Sequence, residues 1–199
     1  MDKINLGAAI PAYPMPVSLV GAHVDGKPTF LTVAWFTMAG YNPPRIAVSL
    51  GKGHYTNPGI KANKTFSVCL PSEEMVAATD YCGIVSGRKI DKSAIFDLFY
   101  GELKTAPMIK ACPLNVECKL ADVVESSLNE IFIGEIVGTY TEEKFMTGGK
   151  PDLSKMKPLI LSQPDTSYWN LGKPVAKAWS IGKKYKAERR QLDAHETDR

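Results

Sequence analysis

The chain has 199 residues, of which 44% are hydrophobic and 23% charged, and its formal net charge is +3. That length suits one domain with a full core, and the composition is that of a globular protein rather than a disordered one. The slight basic excess gathers late, in Lys183, Lys184, Lys186, Arg189 and Arg190, and reads as a solvated helix face, which argues against nucleic acid as a partner.

The N-terminal stretch meets Pro11, Pro14 and Pro16 before any long apolar run, so no secretory leader is read there. Nowhere do about 18 apolar residues follow one another, so no membrane span is expected. Val17 to His23 reads as a strand. Asp25-Gly26 supplies the positive φ angles of a tight hairpin turn, so Phe30 to Phe36 should return antiparallel to it. Further on, Ile46, Val48 and Leu50 share one face of a strand, and Phe66, Val68 and Leu70 share one face of another. Between them, Thr56-Asn57-Pro58 combines a capping oxygen with a first-turn proline and predicts a helix to about Asn63. Ser72 opens a second helix, with Glu73 and Glu74 in its first turn. It is expected to run toward Tyr81 and to stop at Gly83 as a C′ glycine.

Val116, Cys118 and Leu120 alternate with Glu117 and Lys119 in a strand from Asn115 to Val123. Ile131 to Tyr140 is a longer strand in which Gly134 and Gly138 suggest bulges or tight curvature. Each strand is expected to turn one face to a core. Gly148 to Pro158 reads as a loop, and Lys183 to Ala194 as a third helix. Several strands joined by short turns favour a mainly β fold, a closed or partly closed antiparallel barrel, over a parallel doubly wound sheet. Neither G-x-G-x-x-G nor the P-loop pattern occurs. One domain is expected over residues 1–182, with an extension from about 155 and a helical tail over 183–199. The extension's aromatics, Tyr168, Trp169 and Trp179, need a surface, either their own barrel or a partner subunit.

Cys69, Cys82, Cys112 and Cys118 form no C-x-x-C pair, which leaves zinc and iron–sulfur readings without their spacing. Free thiols fit a reducing compartment, so a cytoplasmic location is expected. His23, His54 and His195 are scattered without metal-ligand spacing, and His54 reads as a solvated loop histidine.

Three stretches carry chemistry. The first is the apolar run from Thr29 to Tyr41, followed by Pro43-Pro44. The second is Ser49-Leu50-Gly51-Lys52-Gly53-His54-Tyr55-Thr56, where a strand end, accessible backbone and a helix start suit an anion. Ser49 and Thr56 add hydroxyls there, and Lys52 adds charge. The third runs from Asp80-Tyr81-Cys82-Gly83 through Ser86-Gly87-Arg88 to Asp91-Lys92. Each alone is equally a structural connection: a strand–loop–helix joint in one case, a helix end with a charged loop in the other.

In this order and spacing the three stretches resemble the flavin reductase-like family of FMN-binding split barrels, and its flavoredoxin-like branch above all. The likeness extends from about Ile10 to Gly182 and includes Pro14-Met15-Pro16-Val17, Cys112-Pro113, Phe132 to Val137, Tyr168-Trp169 and Ala178-Trp179. It departs from the family where Ser93 stands in place of a commoner phenylalanine after Asp91-Lys92. The resemblance implies non-covalent FMN at a homodimer interface. It implies the phosphate against Ser49, Lys52 and Thr56, with Leu50, Gly51 and Tyr55 in the same segment. Thr32, Ala34, Trp35 and Phe36 would run beside the ring and ribityl chain, while Cys82, Ser86, Gly87, Arg88 and Lys92 would close the other side. No side chain is needed as nucleophile or general base, since the chemistry belongs to the cofactor. The implied function is electron transfer from NAD(P)H or a protein donor through FMN to an acceptor. Two alternatives stay open: a flavoredoxin-like carrier without nicotinamide activity, and a binding module for flavin or haem without turnover.

Overall fold

The computed structural model describes residues 2–183 and residue 185. Its main sheet has seven strands: β1 (Ser18–Val24), β2 (Lys27–Val33), β3 (Phe36–Tyr41), β4 (Pro44–Gly51), β5 (Thr65–Leu70), β6 (Leu114–Glu125) and β7 (Asn129–Thr141). Helix α1 (Thr56–Asn63) lies between β4 and β5, and α2 (Val76–Ile84) follows β5 through a short 3-10 turn. The order across the sheet is β2-β1-β5-β6-β7-β4-β3, and every neighbouring pair is antiparallel. β2 and β3 are consecutive in the chain yet form opposite edges, joined only by Ala34 and Trp35. The sheet must therefore curl until its edges approach. Among the described residues no ladder joins β2 to β3, so the barrel is split along one seam.

The hairpin between β1 and β2 turns at Asp25 (φ 51°) and Gly26 (φ 75°), the left-handed pair such a turn needs. The strand expected over Phe30 to Phe36 is cut at Ala34, because the chain there leaves one sheet edge for the other. Register shifts at Ile133/Gly134 and Ile136/Gly138 place the irregularities of β7 at its glycines, and a Cβ on Gly134 would run into the Phe66 ring. α1 starts as predicted, although its N-cap is Tyr55 and no side chain caps it. α2 stops near Gly83, as expected, at Ile84; the residue after it is extended Val85, so Gly83 does not act as a left-handed C′ glycine. The predicted loop at 148–158 holds a short strand at Lys150–Pro151 and a one-turn helix, Leu153–Met156, capped by Asp152 accepting from the Ser154 amide at 2.9 Å.

The barrel interior is filled by alternating residues such as Val20, Leu31, Val48, Phe66, Val68 and Phe132, with Ile60 of α1 closing one end. The expectation of one buried face per strand is too simple for β1. Leu19, on its outer face, packs with Phe30, Cys69, Cys82 of α2, and Met108 and Ile109 of the 92–112 crossing segment. That segment covers the barrel wall, and burial of each such side chain contributes about 1.5–3 kcal/mol. Glu117 explains how an acid can sit on this covered face. Its carboxylate accepts from the amides of Glu102 (3.1 Å) and Leu103 (2.9 Å) and from the Tyr140 hydroxyl, so the charge is satisfied while fully buried.

The extension folds back on its own barrel as far as Asn170. Ile160–Ser162 pairs with Met15–Pro16 on one side and Ser167–Trp169 on the other, while Lys157 and Asn170 both bind Glu73, at 2.7 and 3.1 Å. Beyond it, Val175 and Trp179 are 100% and 95% exposed. The third predicted helix, from Lys183 to Ala194, lies almost wholly outside the described residues. No helix among the described residues is long and apolar enough to cross a membrane.

Candidate functional site

The split in the barrel creates the site. A cavity of 340 Å³ opens along the seam, lined by Leu31 to Trp35 on one side and Ser49 to Gly51 on the other. β2 is an edge strand, so its outward peptide groups have no strand partner and face this space. The two walls are tied where the Ser49 amide donates to the Trp35 carbonyl at 2.8 Å. Asn129, paired with Gly51 in the sheet, supplies an amide that donates to Ser49 Oγ at 3.0 Å. Thr32 Oγ1 donates to the Thr79 carbonyl of α2, fixing the β2 wall. Leu161, Gln163 and Tyr168 roof the cavity from the C-terminal extension.

A second cavity of 200 Å³ adjoins it, and His54 lines both. Its walls are the turn Gly53 to Thr56, the end of α2 from Gly83 to Gly87, Thr29, and Lys92. Gly87 fits only as glycine, because a Cβ would stand 2.7 Å from the Tyr55 ring and 2.8 Å from Thr29 Oγ1. Lys92 is 3% exposed, and its ammonium donates to the Cys82 carbonyl at 2.6 Å. Among the described residues no carboxylate forms an ion pair with it. Burial pulls its pKa below the ordinary lysine value, and burial together with Lys92 lowers that of His54. A buried cation without counter-charge is costly. Here it stands beside the N-terminus of α1, whose dipole also favours negative charge. That combination suits an anion.

The sequence-predicted residues divide between these spaces. Thr32, Ala34, Trp35, Ser49, Leu50 and Gly51 line the seam cavity, while Tyr55, Thr56, Ser86, Gly87 and Lys92 line the second. Ser49 and Thr56, expected on one phosphate, thus lie in different compartments. Lys52 lines neither cavity: its amide donates to the Leu128 carbonyl at 2.9 Å and its ammonium pairs with exposed Glu125 at 3.4 Å. Arg88 lines neither cavity either; its guanidinium lies 5.5 Å from the Tyr55 ring centroid and donates to the Gly53 carbonyl at 3.5 Å. Phe36 packs against the inner core. The Cys82 side chain belongs to the outer core, where burial pushes its thiol up to about 11, and only its carbonyl reaches the site, through Lys92. At the family departure, Ser93 makes a local turn, its amide and hydroxyl donating to Asp91 Oδ1 at 2.9 and 2.6 Å.

His54, read as a solvated loop residue, is exposed in its turn and also lines both cavities. Asn129 and Gln163 were not legible, since nothing in their local sequence distinguishes them from ordinary turn and strand residues, and Thr29, which opens the first stretch, was not singled out within it.

The profile of the family described as flavin reductase like domain matches residues 10–162. The chain belongs to the flavin reductase-like family. Its fold matches a flavoredoxin from Methanosarcina acetivorans at 48% identity and TM-score 0.90, over 93% of this chain and 100% of that one. A flavoredoxin of Desulfovibrio vulgaris (Miyazaki F) matches at 36% identity and TM-score 0.86, over 91% and 100%. An FMN-binding protein from Thermus thermophilus shares the fold at 20% identity and TM-score 0.75, over 89% and 99%. Two features of the flavin reductase-like cleft fit a flavin mononucleotide: a seam bordered by free backbone groups, and an adjoining pocket with a buried, uncompensated cation.

Proposed function

We propose that the protein binds FMN non-covalently in this cleft and works as a redox protein, carrying electrons in the manner of a flavoredoxin. The observation that carries the reading is Lys92, a buried ammonium without a carboxylate partner, one compartment away from a seam lined by edge-strand backbone. Lys92, His54, Thr56 and the amides opening α1 would hold the phosphate. The backbone of Leu31 to Trp35 and of Ser49 to Gly51 would border the ring, and Ser86 and Gly87 the chain between. FMN, when bound, supplies the hydride and electron chemistry. The protein's own part is to bind, to orient through fixed backbone groups and to keep water from the seam.

The carrier reading is supported by likeness to two flavoredoxins at 48% and 36% identity. Direct reduction by NADH or NADPH is the second reading, supported by membership of the family. Purified protein is expected to be yellow and to release a ligand of FMN mass. Anaerobic bleaching only by a reduced protein donor supports the carrier, and fast bleaching by nicotinamide alone the reductase. A colourless protein that takes up no FMN contradicts both. We further propose a homodimer, because residues 171–182 leave the barrel with Val175 and Trp179 uncovered.

A further inference from the structure

We infer that Tyr168 contacts the flavin and that Asp80 positions it, so that the C-terminal hairpin governs what reaches the ring; this rests on the FMN reading above. The family match ends at residue 162, whereas Tyr168 stands on the returning strand of the hairpin that follows. In that strand Tyr168 pairs with Leu161 and Trp169 with Ile160. Successive side chains point to opposite faces, and here Tyr168 lines the seam cavity while Trp169 is 58% exposed.

The Tyr168 hydroxyl donates to Asp80 Oδ1 at 3.0 Å. Asp80 follows Thr79, whose carbonyl receives the Thr32 hydroxyl. Two successive residues of α2 therefore brace both sides of the cavity, the β2 wall through Thr79 and the roof through Asp80. The hairpin keeps other anchors, through the pairing of Met15–Pro16 with Ile160 and Leu161 and through Glu73 with Lys157. Loss of the Asp80 contact would thus free the phenol ring without undocking the strand. The phenol is held protonated, as the donor, with its pKa pushed to about 12 by burial and by Asp80.

The test compares FMN titrations and the fluorescence of bound FMN in the full chain and in Tyr168→Ala, Tyr168→Phe and Asp80→Ala. A tyrosine against the ring quenches its emission by donating an electron to the excited flavin. Tyr168→Ala is expected to bind FMN up to about tenfold more weakly, the worth of one aromatic pair, and to leave bound FMN brighter. Tyr168→Phe keeps a ring and should hold affinity within about threefold of wild type, again with brighter emission. Asp80→Ala, read at protein concentrations that leave no free FMN, should brighten bound FMN with Tyr168 still present. Wild-type uptake of FMN with Tyr168→Ala unchanged in affinity and emission would overturn this inference alone. Failure of the wild-type chain to take up FMN would overturn it together with the reading beneath it.

Discussion

Lys92 and Lys52 show how far a residue's role depends on what lies opposite it. Lys92 is buried against the Cys82 carbonyl in a pocket with His54 and Thr56, whereas Lys52 is neutralised at the surface by Glu125. Charge-assisted contacts contribute about 1.5–3 kcal/mol when buried, and exposed ion pairs about 0–1 kcal/mol. Lys92→Gln is therefore expected to weaken FMN binding by roughly 10- to 100-fold, and Lys52→Ala by less than about threefold. Calorimetric titration of both variants checks the assignment, and a larger loss in Lys52→Ala would reverse it. Local sequence favoured Lys52, flanked by two glycines just before a helix. The partner that removes it, Glu125, lies 73 positions away, beyond what spacing can show. His54 reads as solvated and is exposed, but its position between the two cavities depends on the end of α2 and on Lys92, which its neighbours in the chain do not show.

Among the elements, α1 and the turn before it hold the two cavities in register, and the hold comes from a buried carboxylate on β7. Glu130 accepts from Asn57 Nδ2 at 2.9 Å and from Lys61, and Asn57 Nδ2 also donates to the Gly51 carbonyl at 3.0 Å. Hydrogen bonding from Lys61 comes first in holding the Glu130 carboxyl below its ordinary value of 4.5. Because the folded pKa is the lower one, the unfolded chain binds more protons in the interval between the two. The stabilisation is thus complete above about 4.5 and is lost as pH falls through the folded value. In Glu130→Gln the thermal midpoint should decline less steeply than in wild type as pH falls below 4.5; parallel acid limbs would remove Glu130 from this role. At this scale much was legible. Period-two alternation marked the strands because a half-buried sheet requires it, and Asp25-Gly26 marked the first hairpin because few residues accept its φ angles. The break at Ala34 was not legible, since the apolar run from Leu31 to Phe36 reads the same whether it continues one strand or crosses a seam.

In the whole molecule, the order β2-β1-β5-β6-β7-β4-β3 makes the site a consequence of topology. Consecutive strands on opposite edges leave a seam, and the turn entering α1 brings the anion pocket to it. The split barrel follows the family resemblance of the sequence, but the sheet's failure to close, which creates the cavity, is a three-dimensional fact. The extension resolves into two parts. The chain to Asn170 covers its own barrel, and residues 171–182, with Trp179 95% exposed, are the part proposed to meet a second copy. Light scattering in dilute buffer should give about twice the chain mass, as burial of such a patch between copies requires, and deletion of residues 171–199 should lower it; a full-length monomer would contradict the assembly. The central claim is that a buried cation beside α1 grips the phosphate of a flavin lying in the seam. Titration of the full chain with FMN and with riboflavin, which lacks only that phosphate, tests it most directly. The account predicts riboflavin weaker by at least about 30-fold, with the gap narrowed in Lys92→Gln; equal affinity for the two ligands would contradict it.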